Sequence, residues 1–470
     1  MSHGSIEGAR MDSQVKLSWT RRAPVVVSED RGFLGWPEIA VVPLLVTAML
    51  THPLDDLGNL QMDTLRVAWI DIGFGIVLMA AILVALVRPL DLAMPVGTTP
   101  VLVLAFALAY PLLLGVLEGN PPENVLFHGR VVFHYASFFL LWQLIRDRRS
   151  SRNILLMVVF LATVAAAYAF LARIMGWQWH NAMSEVWFGS DVLSRGYGWW
   201  SAMEWYVYGA VIALSYAWIG DGPVLKRRVM GVVCLVLVAA TVSTYIRGDL
   251  LGLAVGIVGV ALLGSRTYTA FETLWRRFRS AAPFVGLVAA VVALATWNTA
   301  WPFLARVLLR MSSIVDPNLA GGVGAGTREE RVTALRTGLS SAWHHPFGHG
   351  LGIPQEGLSV EWAKLQYYAT HNGVAWVGIY AGLVGLILVG LALGVLVVLL
   401  GRIAIRQREE EWAPVAAFGV FIAMLAQSLS ASVLFDSQFT YPLVAIVLVT
   451  ALRFADRHDS HRERLGSPPA

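Results

Sequence analysis

Charge is what this sequence lacks. Only 14% of its 470 residues are Asp, Glu, Lys or Arg, where a water-soluble protein carries about 25%. A hydrophobic share of 57% leaves too few polar residues to cover soluble domains of this total length. A soluble enzyme, a nucleic-acid-binding module and a disordered scaffold are thereby excluded. Cysteine is nearly absent too. The single Cys234 lies inside an apolar run, so no internal disulfide can form. Also missing from the first 32 residues is a short apolar core followed by a small-residue cleavage site, so the first apolar helix is expected to serve as targeting signal.

What is present instead is long uncharged runs, such as Ala281–Ala305 and Gly382–Gly401. A run of about 20 apolar residues is long enough to cross a bilayer as a helix. The expected fold class is therefore an all-α polytopic membrane protein with about twelve transmembrane helices. Their expected limits are 33–50, 66–87, 98–117, 130–146, 153–175, 201–219, 228–246, 248–264, 282–303, 371–400, 412–434 and 437–454. Residues 1–32 and 455–470 are expected as tails, 33–303 as helices one to nine, and 371–454 as helices ten to twelve.

Loop charge supplies an orientation. With the amino terminus in the cytoplasm, every second connection is basic: Arg88, Arg146–Arg152, Lys226–Arg228, Arg266–Arg279 and Arg402–Arg408. The tails add Arg10, Lys16, Arg21, Arg22 and Arg31 at one end and Arg453, Arg457, Arg462 and Arg464 at the other. Short loops rich in Lys and Arg stay in the cytoplasm, which places both termini there. The net charge of +4 follows from the same habit and is no sign of a nucleic-acid partner.

The connections on the other side, 51–65, 118–129 and 176–200, are acidic to neutral. One more, residues 304–370, is far longer than the rest, and loops beyond about 15 residues are usually functional or disordered. It carries a Gly-rich stretch at Gly321–Gly326, a charged helix-like segment from Thr327 to Trp343, and a turn-rich Pro346–Gly352. It reads as an ordered cap outside the membrane. The many tryptophans nearby, Trp177, Trp187 and Trp205 among them, fit an interfacial belt.

Several residues on that side are candidates for chemistry. Arg247 stands between two spans with almost no loop, followed by Gly248 and Asp249. A charge at that depth needs a polar cavity and a partner, or a route for its side chain to the interface. His371 opens the helix after the long loop, ahead of Asn372. Histidine titrates nearest neutrality and suits proton transfer. His344, His345 and His349 invite a metal reading, but Pro346 and Gly348 interrupt the helix that would align them. The usual zinc spacing is also absent, so no metal site is expected.

Three pieces taken together resemble one family, the bacterial O-antigen ligases and Wzy-type polysaccharide polymerases. They are Arg-Gly-x-Leu-Leu-Gly at Arg247–Gly252, then Arg331 through Leu335, Trp343, His345 and Pro346 to Gly348, Gly350 and Gly352, and finally His371–Asn372–Gly373 with Gly382, Leu383 and Gly385. The sequence departs from the common pattern at Ile246, where the family often has Ser, and at Leu335, where it often has Trp. Arg328, one turn before Arg331, competes with it for the same role.

The resemblance implies a GT-C-like fold and an inverting glycosyltransferase that uses no metal or other cofactor. It would move a glycan from an undecaprenyl-diphosphate-linked donor to a sugar hydroxyl at the periplasmic face of the bacterial inner membrane. The acceptor would be a growing glycan for a polymerase or lipid A-core for a ligase. By the same resemblance His371 would be the base, and Arg247 with Arg331 or Arg328 would hold the diphosphate. Gly248, Asp249, Asn372, His345 and Gly350 would support them. Two alternatives remain open at this point: a glycan transporter or flippase, and a transferase directed at protein.

Overall fold

The computed structural model describes residues 35–56, 60–62, 65–67, 69–87, 90–91, 98–175, 183–188, 191–196, 203–220, 222–244, 246–264, 323–352, 372–408, 411–430, 433–436 and 440–455. The order of elements is α1 (Trp36–Asp56), β1 (Leu60–Met62), β2 (Leu65–Val67), α2 (Trp69–Val87), α3 (Thr99–Leu117), α4 (Pro122–Tyr135), α5 (Ser137–Leu144), α6 (Arg148–Met175), β3 (Met183–Phe188) and β4 (Asp191–Gly196). There follow α7 (Met203–Ile219), α8 (Val224–Thr244), α9 (Arg247–Gly264), α10 (Val323–His344), α11 (Gly373–Tyr380), α12 (Gly382–Gln407), α13 (Ala413–Ser428), α14 (Val433–Asp436) and α15 (Tyr441–Ala455).

Helices dominate, and four of those described are long and apolar enough to cross a membrane: Ile70–Val87, Thr99–Leu117, Arg148–Leu171 and Gly382–Gln407. Shorter apolar helices stand beside them, including Gly248–Gly264, Ala413–Ser428 and Tyr441–Ala455. α12 shows why a bilayer is the natural solvent. It buries Val389, Ala392, Leu396 and Leu400 at helical spacing and exposes Ile387, Leu391, Val395 and Val398. An exposed apolar face of that length aggregates in water and is satisfied by lipid.

The structure departs from the expected layout most clearly as follows. The span expected at 130–146 starts earlier, at Pro122, and is interrupted at Ala136 between α4 and α5. The run expected from 371 breaks at Ala381, where Gly382 takes φ +66°. The helix expected to reach 434 ends at Ser428. Finally, the connections expected to be plain loops hold two antiparallel hairpins, pairing Leu60 with Val67 and Met183 with Gly196, so the chain is not purely helical. The expected span 282–303, both expected tails and much of 304–370 lie outside the described residues.

One end of the bundle is tied by Arg453. Its guanidinium bonds Asp91 Oδ2 at 2.7 Å and the Ile145 carbonyl at 2.8 Å, and lies 3.5 Å over the Trp142 ring. Gln407 Nε2 donates to the Phe454 carbonyl at 3.0 Å, and Tyr216 packs edge-on against Trp412. Between these ties and the far end lies an apolar core that includes Trp142, Trp205, Tyr206, Tyr208 and Phe421. Trp205 is fully buried there, a core residue rather than part of an interfacial belt.

Candidate functional site

The candidate residues that the structure describes gather at the end of the bundle away from Arg453. α9 starts there with the Arg-Gly element, about 25 Å along the helix axis from Gly264, which meets Ile219 near the tied end. The glycines of this element are a packing device. A Cβ on Gly252 would come within 2.6 Å of Gln427 Cγ, and one on Gly256 within 2.6 Å of Val211 Cγ2. One on Gly248 would collide with Ser430 Oγ. Glycine at these steps lets α13 lie directly against α9, the close approach small residues permit between helices in a membrane.

That approach builds a buried polar node. The Tyr208 hydroxyl donates to Gln427 Oε1 at 2.6 Å, and Gln427 Nε2 donates to Asp249 Oδ1 at 2.9 Å. One amide thus joins α7, α9 and α13. Asp249 is buried, and its second oxygen finds no hydrogen-bond partner among the described residues. Nearby, Thr440 Oγ1 donates to Glu204 at the start of α7.

The turn that ends α13 also holds the third piece of the motif. Asn372 caps α11, its side-chain oxygen accepting from Val374 N at 2.9 Å and Ala375 N at 3.1 Å. An extended residue with this pairing is a standard helix start. Its amide nitrogen then donates to the Leu429 carbonyl at 3.0 Å. Gly373 fits between Phe435 and the Ser428 carbonyl, where a Cβ would lie 2.8 Å from Phe435 Cε2. Residues 427–430 therefore bind Gly248 and Asp249 on one side and Asn372 and Gly373 on the other. His371, immediately before Asn372, and the Arg247 side chain lie outside the described residues.

The second piece meets the other end of α11. Where the helix breaks at Ala381, its last carbonyls lose their internal partners, as every helix end does. The His349 N–H donates to the Ile379 carbonyl and the Gly350 N–H to the Tyr380 carbonyl, both at 3.0 Å. On its other edge the turn bonds α3: the Leu351 N–H reaches the Pro111 carbonyl at 2.7 Å, and Asn120 Nδ2 reaches the Leu351 carbonyl at 2.8 Å. Gly348, Gly350 and Gly352 all have positive φ, a conformation that costs other residues about 1–2 kcal/mol. The turn is a backbone wedge between α3 and the α11–α12 break.

α10 leans on α11 in turn. Gly338 abuts Ala375, and Gly378 lies against the Gly338 carbonyl, so a Cβ on either would strike the partner backbone. Arg331 is half-buried, seven residues before this crossing. The Arg328 side chain lies outside the described residues. The structure therefore brings Gly248, Asp249, Asn372, His345 and Gly350 onto one short helix or its immediate supports. Sequence reading missed Gln427 and Tyr208. The available signal was an uncharged amide in an otherwise apolar stretch, which seeks a partner on another helix.

His345 and His349 form a ring pair with centroids 4.1 Å apart, and among the described residues no group of three or more His, Cys, Asp or Glu side chains is placed to hold a metal. Burial first, and the His345 imidazole second, hold His349 down at about 4. Between that value and the ordinary histidine value the unfolded chain binds the extra proton, so the docked turn gains stability as pH rises through this window and loses it as pH falls. Hydrogen exchange of the His349–Leu351 amides is expected to accelerate as pH drops from about 6.5 toward 4, after correction for the intrinsic rate. In a His349→Gln variant the corrected rate should stay flat.

A histidine–aspartate pair sits elsewhere in the bundle. His134 Nε2 lies 3.2 Å from Asp71 Oδ1, and the His134 ring packs edge-on against Phe74. None of the motif pieces includes it.

The fold and site define a helical protein with membrane-crossing helices and a polar node at one end. Residues 232–390 match the family model described as O-Antigen ligase (Wzy_C). That span holds all three motif pieces, and over it the resemblance to the O-antigen ligase and Wzy family is borne out. No curated protein matches the chain. One chain from a structure described as "Structural coordination of polymerization and crosslinking by a peptidoglycan synthase complex" is 17% identical, covers 78% of this chain and 99% of its own, and has a TM-score of 0.38.

Proposed function

We propose that the protein is an inverting glycosyltransferase that moves a glycan from a polyprenyl-diphosphate carrier, undecaprenyl diphosphate by the family resemblance, to an acceptor sugar hydroxyl. The observation that carries the reading is α11: it belongs to the His371–Gly385 piece, the Arg331–Gly352 piece bonds to it and packs against it, and residues 427–430 join its start to Gly248 and Asp249. The family match over residues 232–390 points to glycan transfer. The finer assignment also takes the chain as a twelve-helix protein of the bacterial inner membrane, with both termini in the cytoplasm and residues 304–370 in the periplasm.

In this reading the acceptor oxygen attacks the anomeric carbon, and the bond from that carbon to the diphosphate oxygen breaks with its electrons leaving on the diphosphate. His371 takes the hydroxyl proton, as a neutral imidazole can near pH 7. Arg247 and Arg331, with Arg328 one turn away, meet the growing negative charge. Guanidinium groups bind phosphate oxygens through paired, charge-assisted hydrogen bonds. Fixed donors aimed at developing charge lower the barrier without a metal. Gly248, Asp249 and Asn372 hold these groups in register, and His345 and Gly350 belong to the wedge that sets the α11 end.

The test is a deletion strain rescued by wild type or by His371→Ala, with glycan length and carrier compared. His371→Ala should insert normally and transfer no glycan. Single repeat units accumulating would mark a polymerase acting on a growing glycan, and full-length glycan left on the carrier would mark a ligase acting on lipid A-core. Unchanged glycans with the variant would overturn the reading and favour transport.

A further inference from the structure

We propose that α10 is a lipid-contacting helix, with one apolar stripe resting on the acyl chains of the bilayer. This inference stands on the fold alone and does not need the glycan-transfer reading. At 100° per residue, α10 divides into three faces. Ala334, Gly338 and Ala342 are buried toward α11. Arg336, Ser340 and His344 form an exposed polar flank. Between these faces run Val332, Leu335, Leu339 and Trp343, continued by Phe347 just past the helix end. All are exposed, Trp343 by 73% and Phe347 by 64%.

Continuity says what covers this stripe. Its Phe347 end is fixed to α3 by the Tyr110 hydroxyl, which donates to the Phe347 carbonyl at 2.9 Å. It is fixed to α12 by the Val384 N–H, which donates to the Pro346 carbonyl at 3.1 Å. α3 exposes Phe106, Leu113 and Leu117, and α12 exposes Ile387 and Leu391. Both are membrane-crossing by length and composition, so their outward apolar residues face lipid. The α10 stripe adjoins that surface. A helix with an apolar face toward acyl chains and a polar flank toward water is the usual pattern of an interfacial helix, and an aromatic ring such as Trp343 suits the boundary. One consequence is that Arg328 and Arg331 ride on an element whose height is set by the bilayer.

The full-length chain is tested in liposomes. With Cys234→Ala as background, single Leu339→Cys and Ser340→Cys variants carry a nitroxide label, and its collisions with oxygen and with a water-soluble nickel chelate are compared. Oxygen dissolves in lipid and the chelate does not. The Leu339 label should meet oxygen and be shielded from the chelate, and the Ser340 label should show the reverse. Chelate access at Leu339 equal to that at Ser340 would overturn the proposal. So would shielding of Leu339 from both probes, because the stripe would then be covered by protein, a second copy included. Trp343→Cys repeats the measurement at a more exposed site of the same stripe.

Discussion

Replacing Gly350 by alanine is expected to undock the wedge between α3 and α11. Gly350 has φ +69°, which an L side chain adopts at a cost of about 1–2 kcal/mol. Its new Cβ would also fall on the backbone of Gly115: the α-carbon stands 2.5 Å away and the Leu114 carbonyl carbon 2.8 Å. Backbone inside a packed helix cannot swing aside as a long side chain can. Overpacking of that kind costs a further 1–3 kcal/mol or about that, for a total near 2–5 kcal/mol. The bonds from His349, Gly350 and Leu351 to Ile379, Tyr380 and Pro111 should fail together, since all three ride on one turn. Thermal unfolding in detergent and proteolysis near residue 350 would show it. Gly390→Ala is the matched control, because nothing lies within 4 Å of the added Cβ. That variant should be neutral or stabilised by about 0.5–1 kcal/mol, the ordinary helix preference for alanine. Equal behaviour of the two variants would refute the wedge.

Gln427→Leu should be the second severe change. It keeps the volume and removes both bonds of the amide, leaving the Asp249 carboxyl buried without this partner and the Tyr208 hydroxyl with Thr440 alone. Each such group costs about 1–3 kcal/mol, with values measured inside membranes at the low end. Activity should fall further than stability. The amide sets the start of α9 against the turn that holds Asn372, and a misplacement of about 1 Å can cost on the order of 100-fold in rate. Tyr208→Phe removes only one of the two bonds and should lose little turnover. In the double variant the two effects should not add, because the groups share one network. Turnover of Gln427→Leu in proteoliposomes, measured at saturating carrier, is the deciding number. If turnover stays at the wild-type level while the melting temperature drops, Gln427 is a packing residue and no more.

The sequence by itself determined the solvent and the pieces. Scarce charge and long apolar runs required a bilayer. Arg247–Gly252, Arg331–Gly352 and His371–Gly385 carried the family resemblance, and the match over residues 232–390 bears it out. Such features are local in the chain, so hydropathy and spacing can report them. Only the tertiary structure decided how the pieces meet. The break at Ala381 was hidden because both of its sides are equally apolar. The reason for three glycines after Pro346 became clear only once α3 and the broken helix stood on either side of them. Gln427 was illegible for the same reason: its partners, Tyr208 and Asp249, lie 219 and 178 residues away, and no local pattern encodes a hydrogen bond across such a distance. A lone amide in an apolar stretch announces that it needs a partner, and the packing of three helices is what supplies one.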